Sequence, residues 1–309
     1  MKTYLITGVA GFIGSAIAQR VIENGDRVIG IDNFLTGYRR PILEKIDFIE
    51  GDISKKEDIE KLSQYKIDAI FHLAAQSSGE ISYDKPEYDV LTNSLGTLNL
   101  LNFAVKNKIR RFIYASTMSI YGDVEDRAIP ENECPKPKSY YGITKLAGEN
   151  YVKAFSDRLD TTSFRLFNVY GEGQNMENLK QGMVSIYLAY FMKNRPVFVK
   201  GSKDRFRDFI YIDDVVDIWL KSVDLEVSFG KVYNLGTGVK TKVETLLKAL
   251  AKAWGDENYP IEYASYGTSG DTFGIYADIS RLKKDFNWSP KVKLQDGVNR
   301  FVKWVKDEM

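Results

Sequence analysis

Apolar residues fall into two spacings along the first half of this chain. Short, near-continuous runs (TYLITG, RVIGID, DFIEGD, AIFHLAA, RFIYAST and TSFRLFNV) are rich in Ile, Phe, Val and Tyr and read as strands. Between them, residues 12–24, 55–64, 87–107 and 142–157 place apolar positions at helical spacing. A strand apolar on both faces has to be covered on both faces. The alternation therefore predicts an α/β chain, with a doubly wound parallel sheet between helices. Beyond about residue 172 the pattern loosens into helical stretches such as GMVSIYLAYFMKN and VETLLKALAKAWG, short strands, and loops with Gly, Pro and charge. Residues 1–171 are expected to form the main sheet domain and residues 172–309 a smaller α/β domain walling a cleft. The stretch near 231–238, KVYNLG onward, is expected to return to the main sheet.

Composition narrows the function classes. The 309 residues suffice for one large domain or two closely joined ones, and 44% hydrophobic with 28% charged residues is ordinary for a globular protein. A formal net charge of +1 provides no field to draw the chain to nucleic acid or an anionic membrane. One cysteine, Cys134, excludes an intrachain disulfide and suits a reducing compartment. The opening MKTYLITG enters a strand at once, unlike a secretory leader, and no run approaches the roughly 18 apolar residues of a membrane span. A cytoplasmic location is expected. One histidine, His72, and a distant cysteine give no metal constellation.

Chemistry enters with ITGVAGFIGSAIAQRVI. Gly8, Gly11 and Gly14 stand between the first strand and the first helix, where glycine permits a tight turn and close approach to a pyrophosphate. The helix start then offers free N–H groups to phosphates. The second strand ends at Asp32, whose carboxylate can accept from both ribose hydroxyls and would repel a 2′-phosphate, favouring NAD over NADP. Asp52, after the third strand, is a candidate for the adenine amino group. This is a Rossmann-type nucleotide-binding pattern.

A second candidate lies in SYYGITKLAGE. Tyr141 and Lys145 are four residues apart at a helix start, so a cation would lie beside a phenol and lower its pKa toward that of a general base. Taken alone, the pair also reads as a surface contact.

With these residues in view, the chain resembles the extended short-chain dehydrogenase/reductases, in particular the NAD-dependent nucleotide-sugar epimerases and dehydratases. The markers, in order, are TGVAGFIGS, DNFLTG, GDI, HLAA, NSLGT, YASTMSIYG, YYGITK, RLFNVYG, RDFIYIDDVV and YNLGTG. The resemblance implies that Tyr141 is the general base for a sugar hydroxyl. It makes Lys145 the residue that holds the nicotinamide ribose and keeps the phenol acidic, and Thr117 a partner of the reacting oxygen. It adds Phe12, Ile13, Asn33, Ile53, Leu73, Ala74, Ala75, Asn93 and Ser116 to the cofactor contacts. For the nucleotide sugar it points to Asn168 and Arg207, with Ser82 in the sugar pocket.

Two departures carry information. Related 4,6-dehydratases place Asp-Glu after the threonine and decarboxylating relatives use a glutamate there. Met118 and Ser119 occupy those places, and neither side chain can act as acid or base near neutral pH. That leaves simple redox at one carbon, and ASTMSIYG is most similar to the UDP-sugar 4-epimerases, a resemblance that implies epimerisation through a transient 4-keto sugar. A 4-dehydrogenase or ketoreductase is the alternative, and a non-catalytic NAD-binding regulator a third reading. Relatives also carry a diphosphate-clamping arginine where this chain has Thr268, so Arg205 or Arg281 is expected to help. His72 is expected to be structural, Asp213 and Asp214 to cap the helix at VVDIWLKS, and Trp288 and Pro290 to pack. The helices around 87–107 and 142–157 are expected to form a four-helix bundle with a second copy, giving a homodimer.

Overall fold

The computed structural model describes residues 1–180, 182–267 and 272–308. The first half alternates as its pattern requires: β1 (Thr3–Thr7), α1 (Phe12–Glu23), β2 (Arg27–Asp32), β3 (Asp47–Glu50), α2 (Lys56–Glu60) and β4 (Ala69–His72). Next come α3 (Gly79–Asp84), α4 (Pro86–Asp89), α5 (Thr97–Lys106), β5 (Arg111–Thr117), the short β6 (Ala128–Ile129), α6 (Tyr140–Ala154), β7 (Asp160–Leu166) and β8 (Asn168–Tyr170). The second half holds α7 (Met183–Met192), β9 (Val197–Val199), β10 (Phe206–Arg207), β11 (Phe209–Tyr211), α8 (Ile212–Ser222), β12 (Lys231–Leu235) and β13 (Thr241–Lys242). It ends with α9 (Val243–Trp254), β14 (Ile261–Tyr263), β15 (Tyr276–Ala277), α10 (Ser280–Phe286) and α11 (Leu294–Glu308).

Seven parallel strands form one sheet in the order β12-β7-β5-β4-β1-β2-β3. The order reverses direction between β1 and β4, so their carboxyl ends diverge and open a crevice. The 231–238 stretch enters as β12, with Lys231 opposite Thr162 and Leu235 opposite Leu166. Of four two-stranded pairs, β11 with β8 and β15 with β6 tie the second half to this frame, while β10 with β13 and β14 with β9 lie within the second half.

The pleat sorts side chains onto two faces. Tyr4 and Ile6 join one buried cluster with Trp219, Phe164 and Leu188, whereas Leu5 joins another with Leu100, Leu101 and Val152. Strand β5 divides likewise: Ile113 and Ala115 to the first, Phe112 and Tyr114 to the second. Each such side chain, taken fully out of water, contributes about 1.5–3 kcal/mol before entropy is counted.

The expected helix over 87–107 is interrupted: between α4 and α5 the chain makes a wider π-helical turn, Val90–Gly96. Gly96 packs so closely on the loop after β3 that an added Cβ would be 2.7 Å from Ile53 Cδ1. Asn93 and Thr97 flank this contact and are fully buried, Thr97 bonded to His72 at the end of β4 and Asn93 to Gln76 in the loop after it. Residues 55–64 split for a milder reason, α2 tightening into a 3-10 turn over Lys61–Gln64.

Candidate active site

The turn from β1 to α1 is built on close approach. Gly8 has φ +72°, and a Cβ there would sit 2.7 Å from Ala74 N; one on Gly14 would sit 2.2 Å from Gly8 O. No side chain caps the first turn of α1, so its N–H groups face a cavity of about 320 Å³. Gly8, Gly11, Phe12, Ile13, Gly14, Asp32, Asn33, Ile53, Leu73, Ala74, Ala75, Ser116, Thr117, Tyr141 and Lys145 all line this cavity. Asp32 closes β2 over it, accepting from Ala10 N at 3.0 Å and Phe34 N at 2.9 Å. Burial raises its pKa, and those backbone donors oppose the rise.

Several expected residues stand elsewhere. Asp52 is not in the cavity wall, although Gly51 and Ile53 on either side of it are; its carboxylate accepts from Asn33 Nδ2 at 3.1 Å. Asn93 lies behind the wall. Its Oδ1 accepts from Gln76 N at 2.9 Å, and its Nδ2 donates to Asp89 and Thr144 at 3.1 Å. Ser82 is buried with its hydroxyl donated to Gly79 O at 2.6 Å, so it does not reach the cleft. Arg281 also lies outside: it bonds Val232 O at 3.1 Å and faces Glu131 at 3.6 Å. Thr268 falls outside the described residues. Asp213 and Asp214 sit within the first turn of α8, whose cap position is Tyr211. Asp214 accepts from Lys291 N at 3.0 Å and Asp213 pairs with Arg300 at 2.8 Å. His72 is held by Thr7 at 2.8 Å and Thr97 at 2.9 Å, and burial drives its pKa well below the ordinary value, as a neutral structural histidine requires. Trp288 is buried and donates to Asp217 at 3.0 Å. Among the described residues no group of His, Cys, Asp and Glu is arranged to hold a metal, and no helix is long and apolar enough to cross a membrane.

Helix α6 carries the Tyr141–Lys145 pair. Ser139 caps it, accepting from Gly142 N at 3.1 Å. Gly142 and Gly148 let the helix press close; a Cβ on Gly148 would meet the Tyr114 hydroxyl at 2.4 Å. Lys145 is fully buried with Nζ 4.2 Å over the Tyr114 ring. Burial pushes its pKa down to about 7, against the pull of Glu149. Tyr141 faces Thr117, and its pKa goes the opposite way from the sequence expectation. Burial pushes the phenol up to about 12, with Asp89 adding to the rise and a hydrogen bond with Thr117 opposing it. Desolvation of the phenol outweighs the hydrogen bond with Thr117, and the i, i+4 spacing of Tyr141 and Lys145 carries no information about burial.

Beneath the pair lies a feature that the sequence reading missed. Glu149 bonds Arg165 at 2.6 Å and accepts from Ser116 at 2.5 Å, all three buried. Its position four residues after Lys145 was the available signal.

A second cavity, of about 500 Å³, adjoins the first through Ser77, Met118, Ser119, Asn168 and Gly182, which line both. Arg205 and Arg207, both buried, reach it from β10 and the residue before it. Burial lowers the pKa of Arg207, and Arg205 adds to that, as two guanidiniums side by side must. Asn168 Oδ1 and Gln174 Oε1, in the wall of the first cavity, are buried without a hydrogen-bond partner among the described residues. Such atoms suit a polar ligand.

A crevice at the switch point of a parallel sheet, a glycine turn before a helix, and a Tyr–Lys pair on α6 define a Rossmann-type enzyme fold of the short-chain dehydrogenase/reductase kind. More closely, the chain belongs to the NAD dependent epimerase/dehydratase family, which residues 4–236 match. It is 33% identical over 306 residues to a putative UDP-glucose 4-epimerase of Methanocaldococcus jannaschii, covering 98% of each chain. Identity to the UDP-glucose 4-epimerase of Mycolicibacterium smegmatis is 30% over 316 residues, covering 100% of this chain and 99% of the other. The fold matches the Thermotoga maritima UDP-glucose 4-epimerase with UDP-glucose at a TM-score of 0.94, with 34% identity over 99% of both chains. It matches the Thermus thermophilus UDP-glucose 4-epimerase complex with NAD at 0.92, with 30% identity over 99% of this chain and 100% of that one.

Proposed function

We propose that this protein inverts the C4 hydroxyl of a nucleotide-diphosphate sugar of the UDP-glucose/UDP-galactose type. The observation that carries the reading is the placement of Tyr141, Thr117 and Lys145 in a cavity with dinucleotide features, next to a second cavity walled by Arg205 and Arg207. The fit to NAD is good on the protein side: the Gly8–Gly14 cradle has no space for a Cβ, α1 presents free N–H groups, and Asp32 waits at the ribose end. Bound NAD supplies the acceptor and donor for a hydride at C4.

The chain's own residues supply the rest. Tyr141 takes the C4 hydroxyl proton and later returns it, and Thr117 hydrogen-bonds the same oxygen. With the phenol near 12, proton acceptance requires a cation at hand, and Lys145 provides one in its protonated form. Asn168 contacts the diphosphate, and Arg207, assisted by Arg205, holds the nucleotide. The 4-keto sugar turns within the second cavity and is reduced on its other face. Met118 and Ser119 beside Thr117 offer no acid or base for expelling water, which supports epimerisation over dehydration.

Two copies are proposed to pair through α4–α5 and α6. Val90, Leu91, Leu95, Tyr140, Ile143 and Tyr151 are exposed apolar side chains on these segments, more than a lone surface would favour. Residues 1–171 with β12 are proposed to hold the dinucleotide, and the remainder the sugar nucleotide.

The activity test is incubation of the purified protein with UDP-, GDP-, CDP- and dTDP-sugars, following product stereochemistry by NMR. Appearance of the C4 epimer without net NAD reduction supports the reading. Stoichiometric cofactor turnover without an epimer replaces it with a 4-dehydrogenase or ketoreductase.

A further inference from the structure

Arg40 has no part in the chemistry above, yet it touches three separate segments. Its Nε donates to Ala10 O in the glycine turn at 2.9 Å, and its Nη2 donates to Gly173 O at 2.7 Å. Its guanidinium lies 4.0 Å over the ring of Tyr38, whose hydroxyl is 3.5 Å from the same Gly173 oxygen. Residues 37–40 are thus held at two points: Gly37 packs on the glycine turn so closely that a Cβ would be 3.0 Å from Ala10 C, and Arg40 spans to the loop after β8. Gly173 has φ +86°, and a Cβ on it would lie 3.3 Å from Arg40 Nη1, so the loop carbonyl and the guanidinium meet at close quarters. Ala10, Gly37, Tyr38, Arg40 and Gln174 all line the first cavity.

These contacts join the glycine turn, the loop after β2 and the loop after β8, all of which supply residues to the wall of the first cavity. A guanidinium suits the task, since it can bond two carbonyls in fixed directions and stack on an aromatic at once. Both carbonyl bonds are charge-assisted, and desolvation strengthens them. Arg40 is half-buried, and burial lowers its pKa while Tyr38 and Asp32 favour its charge.

We propose that Arg40 is a latch that retains the dinucleotide: the Arg40–Gly173 bridge must open before the cofactor can leave. The proposal rests on the reading of the first cavity as the NAD site, and not on the sugar reaction. Retention matters for an internal hydride cycle, because a cofactor lost between the two hydride steps strands a keto sugar. Arg40 is a positioning residue; it touches loop carbonyls, not reacting atoms.

The test is the dissociation rate of the fluorescent analogue etheno-NAD from the whole protein, displaced by excess NAD in a stopped-flow instrument. Arg40→Met keeps the stem and removes the donors; the expected result is release at least about tenfold faster than wild type. Arg40→Lys keeps the charge but reaches only one carbonyl, and should fall between the two. UDP affinity, read by calorimetry, should be unchanged in both variants. Should the Met variant fold poorly by thermal melting, the Lys variant decides. Equal release rates in a folded variant overturn the latch. Absence of any etheno-NAD binding to the wild type would instead overturn the reading of the cavity.

Discussion

Glu149 lies one helical turn beyond Lys145 on the buried side of α6, with its carboxylate locked to Arg165 at 2.6 Å. This pair fixes a negative charge near an amine that burial would otherwise neutralise. Glu149→Gln would leave Arg165 buried and half-paired, although Tyr121 and Glu131 O still accept from it. A loss of about 3 kcal/mol in urea denaturation is expected. An unchanged midpoint would mean that the pair contributes nothing net.

Removing the Tyr141 hydroxyl tests the proton path. Tyr141→Phe should lower kcat by about a thousandfold, within the range for a lost general base, while the melting temperature stays close to wild type. A variant with undiminished turnover would disprove the assignment of the base.

Lys145 makes stability depend on pH in a definite direction. Its pKa falls from 10.5 to about 7 on folding, so between those values the unfolded chain binds the extra proton and stability rises with pH. Below about 7 the penalty for burying the charged amine is fully present. Lys145→Met should therefore exceed wild type in denaturation midpoint at about pH 6, with the advantage shrinking by about pH 9. A constant difference across this range would contradict the shift.

Asp32 is expected to choose between dinucleotides. Asp32→Ala should weaken NAD binding about tenfold and reduce its advantage over NADP, both measured by fluorescence titration. The change also strips Ala10 N and Phe34 N of an acceptor, so a drop in melting temperature should accompany it. Unaltered NADP discrimination would place the selectivity elsewhere.

The exposed apolar stripe on α6 and the neighbouring helical turn predicts the assembly state. Leu91→Glu with Ile143→Glu should convert a dimer to a monomer in sedimentation at micromolar concentration. Wild-type protein that sediments only as a monomer would refute the pairing.

The frame of this molecule was legible because its strands are apolar on both faces and its glycines sit where no Cβ fits. The return of KVYNLG to the sheet was equally readable. Side-chain direction was not: Ser82 and Arg281 have suitable chemistry, but a helix carbonyl takes the hydroxyl of one and the other turns to Val232 and Glu131. Asn93 went to the interior because the π-helical turn rotates it behind the wall, which no period of three or four residues foretells. The direction of the Tyr141 shift was missed because spacing reports proximity and not desolvation. Arg40 left no mark, since its partners are backbone carbonyls far along the chain.

Strand β12 is supplied by the second half of the chain, yet it completes the sheet beside β7. During synthesis, β7 must wait with one side open until about seventy further residues have been made, the spacing from Leu166 to Leu235 at the end of β12. A fragment ending after β8 would carry that raw margin permanently and should self-associate in vitro. The two halves are therefore not expected to behave as independent modules, and any evolutionary exchange of residues 172–309 has had to preserve the strand that they lend.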